Sequence, residues 1–232
     1  MADQPPRGTQ QVQDRIKNLI LRLGLSAGDA LPTEAELAAQ LNVGRNPVRE
    51  AIKALQAVGI VEVRRGLGMY VGTMSLGALV DELTFHTRIT LRDGRGGLAE
   101  LTEVREALES GLAQRMIAGK QRPDLHELAR VLDTMAAEAG TGRISPAVDR
   151  LFHEVLFQPL GNTLVSRLLG AFWDAYHQVE PELTPPQESP LAILEQHRAI
   201  YRAIAAADPA AIATAMAGHF AGVRRRLVES AT

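Results

Sequence analysis

Through most of this chain apolar residues recur at helical spacing. Between residues 10 and 23, Val12, Ile16, Leu19, Ile20 and Leu23 fall three or four apart, which gathers them on one helical face for burial. Gly24 marks the end of that helix. After the turn Gly28-Asp29-Ala30-Leu31-Pro32, Thr33 stands three residues ahead of Glu36. At that spacing a hydroxyl and a carboxylate each take up an exposed backbone N–H, so a short helix over 34–41 is predicted. Asn42-Val43-Gly44 is a compact turn into a second helix over about 46–58, with Val48, Ile52, Leu55 and Val58 as its buried stripe. Two short helices about a tight turn predict a helix-turn-helix. The pattern then changes to alternation in Ile60-Val61-Glu62-Val63-Arg64-Arg65 and in Met69-Tyr70-Val71, around Gly66-Leu67-Gly68. Two β-rich runs about a Gly-x-Gly turn predict a hairpin, the wing of a winged helix-turn-helix.

From Ser75 onward no strand pattern appears. Helical stripes predict helices over about 76–91, 98–118, 124–139, 146–157, 163–179, 191–206 and 209–229. Ser145-Pro146 and Asp208-Pro209 each read as an N-cap followed by proline at the first helical position, and Asn162 can cap the helix after it. Gly94-Arg95-Gly96-Gly97 and Pro185-Pro186 read as loops. The expected fold is mainly α: a winged helix-turn-helix DNA-binding domain over 1–75 and an all-α helical-bundle sensor domain over 76–232.

Composition narrows the chemistry. A chain of 232 residues suits two domains of unequal size. It has no cysteine, which excludes disulfides, thiolate catalysis and Cys-ligated zinc, and leaves histidine and carboxylates as the metal ligands. The opening MADQPPRG lacks the basic and apolar regions of a signal peptide, and no segment has the roughly twenty apolar residues of a membrane span, so a cytoplasmic protein is expected. Residues 1–75 hold nine Lys/Arg against seven Asp/Glu, whereas the remainder is acidic. The basic part is the expected DNA reader.

A recognition helix places its N-terminal residues at base edges in the major groove. Here these are Arg45, Asn46, Pro47, Val48 and Arg49. Arg45 and Arg49 are four apart and share a face, where each can grip a guanine or a phosphate; Asn46 can read adenine or contact a phosphate. Lys53, one turn further on, and Arg64 and Arg65 at the wing suit phosphates. The stretch LPTEAELAAQLNVGRNPVREAIKALQAVGIVEVRRGLGMYV resembles the GntR family of transcription regulators. That resemblance implies DNA contacts from Arg45, Arg49 and the wing at Gly66 and Gly68. Asn46 stands where the family often has Thr, and Leu67 where a basic or polar wing tip is common.

A second constellation lies further along. Asp149 and His153 are four apart on one predicted helix, so a carboxylate and an imidazole share a face. His197 lies nine residues before the end of its helix and His219 ten after the start of the next. Folding that pair antiparallel brings the two to within about 1.5 Å of the same height. Three imidazoles and one carboxylate form a borderline-soft donor set suited to Zn²⁺ or Ni²⁺, with room for water or an exogenous carboxylate. His86, His126 and His177 show no such pairing.

Most of residues 76–229 also resembles the ligand-sensing domain of the FadR-type branch of that family. The resemblance implies that Asp149, His153, His197 and His219 hold a divalent metal, that a small organic acid rests on it, and that Arg105 points into the cavity. Pairing of Arg105 with Glu109 on the surface is the competing reading. Asn162, Trp173, Tyr176 and His177 are open between pocket and core or cap. The expected function is a dimeric repressor, not an enzyme, that binds an inverted-repeat operator and senses a small carboxylate. Its rivals are a metal-free sensor of an acyl-type effector and a metal-dependent hydrolase or isomerase; for the latter no general base is identifiable.

Overall fold

The structure is a computed structural model, and it describes residues 7–92, 97–183 and 188–230. The loops expected at 94–96 and 185–186, and residues 1–6, lie outside these. The chain divides into two compact units, Met1–Leu79 and Val80–Thr232.

In the first unit α1 (Arg7–Arg22), α2 (Glu34–Leu41) and α3 (Arg45–Ala57) precede a hairpin of β1 (Val61–Arg64) and β2 (Gly68–Val71). The periodic residues Val12, Ile16, Leu19, Ile20, Val48, Ile52 and Leu55 all enter one core, joined by Leu37 and Leu41 of α2. The expected stripe loses two members, because Leu23 and Val58 lie past the helix ends and stay exposed. The capping box forms: Thr33 Oγ1 accepts from Glu36 N, and Thr33 N donates to the Glu36 carboxylate at 2.8 Å. The Arg15 guanidinium donates to Leu41 O, tying α1 to the end of α2.

Strands β1 and β2 pair antiparallel, with Val61 opposite Val71 and Arg64 opposite Gly68. Gly66 and Gly68 turn the hairpin with φ of +78° and +114°, a region that side-chain-bearing residues rarely enter. The turn before α2 also joins the sheet: Leu31 N donates to Met69 O, and Val71 N to Asp29 O. Hydrophobic alternation gave no sign of this third edge.

The second unit is helical among the described residues, and α4 (Gly77–Arg92) spans the division between the two units. It is followed by α5 (Gly97–Ala118), α6 (Leu125–Gly140), α7 (Pro146–Phe157), α8 (Thr163–Val179), α9 (Pro190–Ala206) and α10 (Pro209–Ser230). Single 3₁₀ turns follow α7 and α8. Helix α10 packs along α5 and α9, α6 along α7 and α9, and α8 against α5 and α7. Met116, Leu128, Met135, Phe152, Leu156, Ile200, Ile204, Ile212 and Phe220 fill the space between them. Ser145 and Asp208 cap their helices as expected, Asp124 and Ser189 cap two more, and Asn162 caps α8.

Candidate functional site

Four helix positions converge inside the second unit. Asp149 and His153 lie one turn apart on α7, His197 projects from α9, and His219 from α10. The three histidines are buried, and their ligand atoms lie within 4.8 Å of one another. The His197 and His219 ring centroids are 4.7 Å apart, which is the level pairing that the antiparallel turn at Asp208 predicts. His153 stands 5.6 Å from the first ring and 5.1 Å from the second. Asp149 Oδ1 closes the group at 2.7 Å from His197 Nε2.

The donor atoms of this cluster do not satisfy one another. Asp149 Oδ1, both His153 nitrogens, His197 Nε2 and His219 Nδ1 are buried, and none has an aligned hydrogen-bond partner among the described residues. The close Asp149–His197 approach is therefore one of distance without alignment. Lone pairs on Asp149 Oδ1, His197 Nε2, His219 Nδ1 and one His153 nitrogen, converging at non-bonding angles, fit a shared cation; left to themselves in a protein interior they would cost about 1–3 kcal/mol each. His197 Nδ1 donates to Ile193 O at 2.8 Å, which fixes the tautomer and leaves Nε2 as the ligating nitrogen.

Electrostatics favour the same forms. Burial pushes His219 well below the ordinary histidine value, which favours the neutral, ligating form. Burial opposes ionisation of Asp149, but the neighbouring imidazoles, His197 first, hold its carboxyl well below the usual range. The cluster thus fits a divalent ion with nitrogen and oxygen ligands.

Arg105 is buried, at 7% exposure, and pairs with fully buried Glu109 at 2.5 Å. The pair therefore lies in the interior, not on the surface. Glu109 has a second neighbour: its Oε2 lies 2.6 Å from His153 Nδ1. Burial alone would raise the Glu109 carboxyl, but the charges of Arg105 and His153 bring it down to about 2. The guanidinium also sits 4.3 Å over the Trp173 ring, and its Nη2 has no aligned partner among the described residues. Sequence reasoning missed Glu109 as a neighbour of His153, although its four-residue spacing from Arg105 was in view.

A cavity of about 820 Å³ opens beside the cluster. Asp149 and His219 reach it from the donor group, and Arg105, Trp173, Tyr176 and His177 line it as well. Asn162 is not among its lining residues.

In the first unit Arg45, Asn46 and Arg49 are exposed at the start of α3, and Lys53 lies one turn beyond. Arg49 Nε lies 3.3 Å from Glu34 Oε2, and Lys53 Nζ 2.9 Å from Glu50 Oε1. At the wing, Arg65, Gly66 and Gly68 are exposed, while Arg64 pairs with Glu62 at 2.9 Å and covers the Tyr70 ring. No helix is long and apolar enough to cross a membrane among the described residues.

Comparison with known proteins places both halves. Residues 9–71 match the family described as bacterial regulatory proteins, gntR family, and residues 100–222 match the FCD domain. The HTH-type transcriptional regulator LutR of Bacillus subtilis is 29% identical over 204 residues, covering 86% of this chain and 91% of LutR. The Uxu operon transcriptional regulator of Escherichia coli is 29% identical over 231 residues, covering 96% and 88%. A solved structure of Streptococcus agalactiae GntR superposes with a TM-score of 0.64 at 29% identity, over 94% of this chain and 99% of that one. With its helix-turn-helix followed by an FCD domain, the chain belongs to the GntR family of DNA-binding transcription regulators, not to a family of enzymes.

Proposed function

We propose that this regulator is a cytoplasmic homodimeric repressor that senses a small organic acid through a bound divalent metal, zinc or nickel. Residues 1–75 read the operator and residues 76–232 hold the metal and effector. The observation that carries the sensing half is the set of buried, unpartnered donors on Asp149, His153, His197 and His219, beside a cavity that Arg105 also lines. A bound metal supplies a Lewis-acidic seat for a carboxylate. Arg105, which lines the cavity, offers the complementary charged donor: Glu109 orients its Nε, and Trp173 lies against the guanidinium carbon.

On the DNA side Arg45, Asn46 and Arg49 read base edges in the major groove, and Lys53 and Arg65 neutralise phosphates. Gly66 and Gly68 let the wing turn approach the backbone. Two copies related by a two-fold match an inverted repeat. Effector binding changes DNA affinity only if the effector binds two helix arrangements unequally.

Elemental analysis of protein purified without chelator tests the metal, set beside a His197→Ala, His219→Ala variant. The expected result is near-stoichiometric metal in the parent and loss in the variant. Equal metal in both, or low metal in both, overturns the reading.

A further inference from the structure

The tip of the wing displays an apolar side chain, whereas its neighbour Arg65 and the start of α3 display charge. Leu67 is 72% exposed and stands between Gly66 and Gly68. A Cβ at either glycine would meet no atom within 4 Å beyond its chain neighbours, so the tip projects into open space with one side chain on it. Its backbone is braced: Leu67 N donates to Arg64 O at 2.9 Å, and Leu67 O accepts from the Tyr70 hydroxyl at 3.1 Å. The Arg64 guanidinium lies 4.2 Å over the Tyr70 ring and is held in turn by Glu62 at 2.9 Å. Three side chains thus fix the turn that presents this leucine to solvent. The hairpin is itself tied to α3, since Ile60 N donates to Leu55 O at 2.9 Å.

A leucine neither neutralises a phosphate nor pairs with a base edge. Its contribution to DNA binding is close contact and exclusion of water. With α3 seated in the major groove, the next feature of the duplex is the minor groove, about 6 Å wide. A turn with one side chain between two glycines is narrow enough to enter it. Every base pair presents acceptors on the floor of that groove, and G·C adds the guanine 2-amino group. A leucine over G·C meets that protruding group and leaves its donor without a partner, a cost that A·T does not impose. Apolar wedges are a recurrent device of minor-groove binding. Because the turn is already fixed, little ordering entropy is lost on contact.

We propose that Leu67 is a specificity-determining DNA contact: it packs on the floor of the minor groove beside the α3 site and selects A·T over G·C pairs there. This rests on the assignment of α3 and the wing as the operator reader. The chain's own promoter fragment is prepared in two forms, one natural and one with 2,6-diaminopurine replacing adenine. That base adds a 2-amino group in the minor groove and leaves the major-groove edge unchanged. Both are titrated with full-length protein by mobility shift, the natural fragment at several salt concentrations.

The parent is expected to bind the diaminopurine fragment about tenfold or more weakly than the natural one. Leu67→Ala should bind natural DNA about three- to tenfold more weakly than the parent, with an unchanged salt slope, and should distinguish the two fragments by no more than about twofold. Leu67→Lys should steepen the slope of log affinity against log salt by about one. Equal binding of the two fragments by the parent, or parent-like discrimination or affinity in Leu67→Ala, overturns the Leu67 contact. So does a parent-like salt slope in Leu67→Lys. Arg49→Ala separates this from the assignment beneath it. If it loses binding while Leu67→Ala does not, the tip contact alone falls; if both bind like the parent, the operator-reader assignment falls with it.

Discussion

Glu109 and His153 meet in the interior of the helical unit at 2.6 Å, Oε2 to Nδ1, although α5 carries one and α7 the other. Glu109 also holds Arg105 at 2.5 Å, so one carboxylate joins a candidate metal ligand to a candidate effector ligand. Replacing it with Gln removes the only negative charge of that trio and leaves Arg105 buried without its counter-ion. Breaking a buried pair on one side costs roughly 3–5 kcal/mol. Glu109→Gln is therefore expected to lower the unfolding free energy of the metal-free protein by that order. Loss of a ligand's supporting partner should also weaken zinc about 10–100-fold. Denaturant unfolding and competition with a chromophoric chelator read the two effects separately; a variant unaltered in both would remove Glu109 from the site.

Arg49 is engaged before DNA arrives, with its Nε 3.3 Å from Glu34 Oε2 across the turn between α2 and α3. Both side chains are substantially exposed, so the pair is screened and exchangeable. Arg49→Ala is expected to weaken binding to the chain's own promoter DNA by about tenfold or more in a mobility-shift titration. Glu34→Gln should tighten binding, because it releases Arg49 and removes a carboxylate close to the phosphates. Unchanged binding by Arg49→Ala would refute the assignment of α3 as the recognition helix.

Gly72 follows the wing, and its N–H donates to Ile60 O at 2.8 Å. A Cβ there would overlap the Gly59 carbonyl oxygen and lie 2.9 Å from the carbonyl carbon. Both are backbone atoms, so no side chain can swing aside. Gly72→Ala is expected to destabilise the first unit by about 1–3 kcal/mol. Its amides should show faster hydrogen exchange than those of the helical unit, which should be unaffected. Gly66→Ala meets no atom within 4 Å and is strained only by its φ of +78°. Equal exchange in the Gly72→Ala variant and the parent would show that the hairpin can open to admit the methyl group.

Much of this fold was legible because its signals are local. The Thr33/Glu36 spacing places the start of α2, and the periodic stripe from Val12 to Ile20 is the face that α1 buries. The matched positions of His197 and His219 follow from helical rise and one turn at Asp208. Helix α5 hides its role for a physical reason: its buried positions include Thr102, Arg105 and Glu109, so hydrophobic periodicity cannot distinguish them from a solvated face. A four-residue Arg–Glu spacing is the same in water and in a core. Burial by α8 and α10 decides between them, and that is set by tertiary packing. The walls contributed by Trp173 and His177 were undetermined for the same reason.

Arg88 on α4 donates through Nε to Glu182 Oε1 at 2.6 Å and through Nη2 to Gln178 O at 2.9 Å. The segment it grips, from the end of α8 into the following 3₁₀ turn, also lines the cavity through His177, Glu180, Pro181 and Leu183. Helix α4 runs from Gly77 to Arg92, so Arg88 ties this wall of the cavity to the helix that leads into the second unit. The ion pair itself is half-exposed, and such pairs contribute about 0–1 kcal/mol to stability. Arg88→Ala should therefore leave the thermal midpoint, zinc content and effector-free DNA affinity close to those of the parent. What it should reduce is the change in DNA affinity caused by whichever carboxylate binds most tightly in a thermal-shift screen. Coupling between sites is typically about 5- to 150-fold, and a drop to within about twofold of unity is expected. Full retention of the parent's coupling would show that the signal travels without this latch.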